Sequence, residues 1–106
     1  MLRYKLSECG ARGWFIGDFD GAVHRNKDFE VNYQKNPRGP TPSHTHKIVH
    51  EIQLVIRGKM LVNGEIFLPG DICMLEPNDI SQIEYLEDTE TVAIKFPSCP
   101  SDKYYL

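Results

Sequence analysis

No excess of positive charge runs through this 106-residue chain: twelve Lys and Arg stand against fifteen Asp and Glu, for a formal net charge of −3. The basic residues are scattered, so neither a nucleic-acid footprint nor a membrane-surface patch is expected. No apolar run approaches the ~20 residues that span a bilayer. The opening segment, MLRYKLSECGARGW, lacks the apolar stretch of a secretory signal. Cysteine is sparse as well. Cys9, Cys73 and Cys99 are odd in number, far apart and without a Cys-x-x-Cys pair. They read as reduced thiols, which argues against a disulfide frame or zinc ribbon and sets the expectation of a cytoplasmic protein. A Gly-x-Ser-x-Gly elbow, a P-loop and a Gly-x-Gly-x-x-Gly element are all missing, so hydrolase, NTPase and dinucleotide-binding readings have no support.

What is present suits one small globular domain over residues 1–106, with 41% hydrophobic and 25% charged residues. Short apolar stretches alternate with turn signals every ten residues or so, the pattern of an all-β sandwich or barrel. Strands are expected at 14–19, 29–35, 43–46, 51–56, 59–62, 65–68, 72–75, 80–85 and 91–96. Asn63-Gly64 is a two-residue hairpin signal, because a type I′ turn needs positive φ at both positions. Asn36-Pro37-Arg38-Gly39-Pro40-Thr41-Pro42 contains three prolines that lack amide donors, so it reads as a rigid connector and not as a central strand. No segment combines helical periodicity with caps. The tail PSCPSDKYYL is expected to pack on the outside of the barrel.

The chemistry concentrates in Pro-Ser-His-Thr-His-Lys-Ile-Val-His-Glu, residues 42–51. On a strand, His44 and His46 project from one face. A turn through 47–50 would set Glu51 opposite His46 on the next antiparallel strand, where paired Cβ atoms sit about 4.5–5.5 Å apart. Two imidazoles and a carboxylate suit a divalent transition metal, Fe, Mn, Ni, Cu or Zn; the bland alternative is three solvated strand residues. His50 should point away from this face, and His24 lies in a polar stretch. Gln53 shares the face of Glu51 and either lines a pocket or is a structural glutamine. Tyr33 and Tyr85 read as core residues. Strand 51–56 holds a conflict, since Ile52, Leu54 and Ile56 are the apolar row that ought to face the core. The metal reading needs that row outside, covered by a second copy of the chain.

Gly39-x4-His44-x-His46-x4-Glu51-x6-Gly58 resembles the first motif of the cupin superfamily, with the leading gap one residue short. Gly64-x4-Pro69-Gly70-Asp71 with Leu75-x-Pro77 resembles the second motif, so the two span about 39–58 and 64–83. Gly13-Trp14-Phe15-Ile16-Gly17 and Asp102-Lys103-Tyr104 are also similar to the two ends of short stand-alone cupins. The resemblance implies a double-stranded β-helix jelly-roll barrel, a homodimer, and a metal held by His44, His46 and Glu51. It places a third ligand histidine where this chain has Ser81, followed by Gln82. Two outcomes stay open, a weaker metal site with an extra free position or a metal-free pocket, and Gln53, Ser81 and Gln82 are the expected contacts of a small-molecule ligand. The corresponding functions are a metal-dependent enzyme acting on a small organic or carbohydrate substrate, and a non-catalytic sugar-binding module.

Overall fold

The computed structural model describes residues 1–106, in which twelve short strands follow two 3-10 turns at Leu6–Glu8 and Ala11–Gly13. The strands are β1 (Trp14–Ile16), β2 (Glu30–Asn36), β3 (Gly39–Pro40), β4 (His44–Thr45), β5 (His50–Arg57) and β6 (Met60–Val62). They continue as β7 (Glu65–Phe67), β8 (Ile72–Leu75), β9 (Ile80–Ser81), β10 (Ile83–Tyr85), β11 (Thr89–Phe96) and β12 (Tyr104–Tyr105). Antiparallel pairing arranges them in three sheets, ordered β1-β2-β11-β5-β8, β3-β10-β6-β7 and β12-β4-β9. The expected all-β barrel is what forms.

Local turn chemistry explains several elements directly. Asn63 and Gly64 take φ of 49° and 84°, and the hairpin they close pairs Val62 with Glu65. Beyond Asn36, which ends β2, the proline-rich connector contributes only the two-residue β3, at the edge of its sheet. The expected strand 80–85 divides at Gln82, with β9 joining β4 and β10 joining β6. The tail packs on the outside as an edge strand: β12 pairs with β4, Tyr105 opposite His44, with Tyr104, Tyr105 and Leu106 exposed, while Asp102 is buried.

Burial resolves the conflict on β5. Glu51, Gln53 and Val55 point inward, while Ile52 and Leu54 are half-buried on the outer face and Ile56 is exposed. The inward row changes character along the strand. Val55 joins Met60, Val62, Cys73, Leu75, Ile83 and Tyr85 in the apolar core, which fills one end of the barrel. Each such large side chain contributes about 1.5–3 kcal/mol when fully buried. At the other end the interior is polar, and a buried polar residue must find a partner. Asn32 Oδ1 accepts the Ala93 amide at 3.1 Å, and Asn36 Nδ2 donates to Thr91 Oγ1 at 3.1 Å. This end holds the site.

Candidate metal centre

His44, His46 and Glu51 are all buried, and their ligand atoms lie within 4.8 Å of one another. The route to this geometry differs from simple cross-strand pairing. β4 pairs with β12 and β9, whereas β5 lies between β11 and β8 in another sheet. The connection between them therefore crosses from sheet to sheet. Its amides at Lys47, Ile48 and Val49 donate to the Asp102 carboxylate at 3.1, 2.9 and 2.9 Å. Burial works to raise the Asp102 carboxyl, but these three amides outweigh it and hold the group below its ordinary value.

The backbone carbonyl of Asp102 also meets Nδ1 of His46. A carbonyl only accepts, so Nδ1 carries a proton and Nε2 is the nitrogen turned toward Glu51. Nε2 lies buried 3.2 Å from Glu51 Oε2, an ion pair when the ring is protonated, without a well-formed hydrogen bond between them. On the far side, Gln53 Nε2 donates to Glu51 Oε1 at 2.5 Å, and Lys95 Nζ stands 3.7 Å from Oε2. Burial alone would push the Glu51 carboxyl up; His46, Lys95 and Gln53 together hold it down at about 2. His44 is held below its ordinary value, first by burial and then by Lys103. A neutral imidazole beside an ionised carboxylate is the protonation state that ligation requires.

Ser81 stands opposite His44 on β9, with its Oγ buried and unpartnered. Gln53 lines a cavity of about 280 Å³ that opens beside His44 and Glu51. Gln82 does not join it. One residue along an alternating strand, it is exposed, and its amide is taken by Asn63 Oδ1. His50 stacks on Phe96 away from the cavity, and His24 is exposed. Tyr85 is both core and cavity wall, its hydroxyl pushed up to about 12 by burial and then by Glu51. Tyr33 instead faces outward and donates to the Glu90 carboxylate. Pattern reading missed Asp102, Arg12, Lys95 and Lys103; only the DKY tail carried a signal for two of them.

No family model matches the chain. The XylDLEGF operon transcriptional activator of Pseudomonas putida is 31% identical over 58 residues, 51% of this chain. The chain spans only 18% of that protein's length. Among solved structures, KdgF from Halomonas sp. superposes with a TM-score of 0.65 at 23% identity, over 71% of this chain and 74% of its own. A Klebsiella pneumoniae protein with a double-stranded β-helix domain gives 0.67 at 21%, over 78% of each chain. Pac13, a nucleoside dehydratase of Streptomyces, gives 0.72 at 14% identity, over 100% of this chain and 91% of its own. These likenesses show the fold alone: the chain is a cupin in fold, a double-stranded β-helix.

Proposed function

We propose that this cupin binds a divalent transition metal through His44, His46 and Glu51, beside a cavity that takes a small organic or carbohydrate molecule. The observation that carries the reading is His46 Nε2, buried 3.2 Å from the Glu51 carboxylate with no well-formed hydrogen bond to it. A buried polar atom left unpaired is costly, and an ion satisfies it together with Glu51 and His44. The donor set fits Fe, Mn, Ni, Cu or Zn. Asp102 supports it as an outer partner that orients the histidine ring.

A bound ion would act as a Lewis acid on a ligand oxygen. The residues around it divide the remaining work. Gln53 and Lys95 hold Glu51 ionised and oriented, and Tyr85 offers a neutral hydroxyl at the cavity wall. Isomerisation, lysis or oxidation of a small substrate is the enzymatic form of this reading. A ligand-sensing module without turnover is the second reading, and the match to part of a transcriptional activator favours it.

The same proposal includes a homodimer. On the outer sheet face, Ile94, Ile52 and Met74 form one cross-strand row, and Val92, Leu54 and Ile72 form the next. Ile72 and Met74 are about half exposed or more in the single chain. A symmetric contact with a second copy would cover these rows.

Elemental analysis of purified wild type and His46→Ala tests the metal. Wild type should carry a stoichiometric divalent ion, and the variant should lose it. Equal metal content in both would make the ion adventitious and leave the metal-free binding module.

A further inference from the structure

The cavity carries charge opposite to that of the chain. Three cations, Arg12, Lys95 and Lys103, line it with a single carboxylate, Glu51, in a protein of net charge −3. Lys95 is committed, 3.7 Å from Glu51 Oε2 and 5.0 Å from the centre of the Trp14 ring. Arg12 and Lys103 are not among the residues that form ion pairs. Both converge instead on Tyr105: Lys103 Nζ lies 5.2 Å from its ring centre. Lys103 first, and Arg12 after it, hold the Tyr105 hydroxyl below its ordinary value.

Arg12 is held there by a strained turn. Its φ of 53° and ψ of 36° are left-handed, a conformation unfavourable for a residue with a side chain. Packing enforces it. Gly13 sits so close to β2 that a Cβ would lie 1.9 Å from the Tyr33 carbonyl oxygen, and Gln34 Nε2 donates to the Arg12 carbonyl at 3.3 Å. Strain of this kind, imposed by surrounding structure, concentrates at ligand clamps.

The floor of the cavity is a row of amides. Asn32, Gln34 and Asn36 follow at alternate positions on β2, and Gln53 joins them from β5. An amide offers both a donor and an acceptor, as a hydroxyl does.

We propose that the cavity takes a small hydroxylated organic anion, its carboxylate or phosphate held by Arg12 and Lys103 and its hydroxyls read by the amide row. This rests on the reading of the cavity as the ligand site. The planar fork of an arginine matches either oxyanion, and a concave wall focuses the field of the cations. At about 280 Å³ the space lies at the low end of ligand pockets, which suits one small molecule and not an oligomer.

Titration calorimetry with matched probes tests the anion: D-galacturonate against D-galactose, and D-glucose 6-phosphate against D-glucose. One charged probe should bind at least about tenfold tighter than its neutral partner, and which one does so identifies the oxyanion. Lys103→Gln and Arg12→Gln should each weaken that probe about tenfold, with the neutral sugar unaffected and Lys103→Arg restoring most of the loss. Equal binding of charged and neutral members overturns the proposal and leaves the cavity a ligand site. Failure of both acids to bind at millimolar concentration overturns it as well. Metal content, measured on the same samples, should not change in Arg12→Gln, which does not act on His44, so loss of the anion site and loss of the metal site are read separately.

Discussion

The backbone carbonyl of Asp102 accepts the Nδ1 proton of His46, while the carboxylate of the same residue gathers the amides of Lys47, Ile48 and Val49. One residue thereby orients the ring of a candidate ligand and shapes the connection that delivers Glu51. Asp102→Ala would leave three amides without their acceptor. We expect a loss of about 2–4 kcal/mol in urea unfolding, since hydrogen bonds to a buried charge are among the stronger ones. The backbone carbonyl that meets His46 survives the substitution, so metal affinity should fall only as far as the loosened connection displaces Glu51. Asp102→Asn keeps one acceptor and should lose less. An Asp102→Ala variant as stable as wild type would mean the connection is anchored elsewhere.

Ser81 faces His44 across β4 and β9, with a buried hydroxyl that bonds to nothing. Ser81→His should add a third imidazole beside ligands already in position. A competition titration with Zn or Ni should then show tighter binding than wild type, and chelator should lower the melting temperature of the variant more. His44→Ala should move both readouts the other way. Identical affinities in all three proteins would remove Ser81 and His44 from the metal's surroundings.

The outer rows of β5 and β8 predict association. Leu54→Glu places a charge in the middle of the proposed contact, where it would be buried unpaired. Light scattering should show a wild-type dimer and a variant that is monomeric or aggregated. A wild-type monomer at micromolar concentration refutes the contact.

Two glycines with positive φ should respond differently to substitution. A Cβ at Gly64 meets nothing within 4 Å, so Gly64→Val carries only the conformational penalty, about 1–2 kcal/mol. Gly13→Ala should cost more, because its Cβ collides with the Tyr33 carbonyl. Chemical denaturation of the two variants orders them directly, and the reverse order would contradict the close packing of the Arg12 turn.

Glu30 supplies a pH test. Burial raises its carboxyl; Ser98, which donates to Oε2 at 3.0 Å, and the nearby Lys95 oppose the rise without cancelling it. Glu51 adds to the rise and His46 works against it. The folded protein therefore holds this proton more tightly than the unfolded chain does. Its contribution is complete below the ordinary glutamate value of 4.5 and is lost as pH climbs through the raised folded value. Glu30→Gln keeps an acceptor for Ser98 and removes the buried charge. The variant should gain stability over wild type at pH 7, with the gain shrinking toward zero below 4.5. A gap that widens on acidification would reverse the sign of the effect.

Much of the architecture is written in short-range patterns. The Asn63-Gly64 turn, the period-two runs and the proline connector are properties of a few adjacent residues, and they act the same way in any barrel. The spacing of His44, His46 and Glu51 is equally local, and it marked the candidate site before any sheet was known. Other features have no local expression. Ile52, Leu54 and Ile56 look like a core row on β5, and only the closed barrel shows that the polar row faces in, because that end of the interior is a cavity lined by hydrogen-bonding side chains. Asp102 reaches His46 across 56 residues of sequence, and Arg12 and Lys103 meet at one mouth from opposite ends of the chain. Such encounters depend on which strands pair. Pairing is decided by the packing of the whole sheet set, so residues distant in sequence acquire a shared role only once the tertiary structure brings them together.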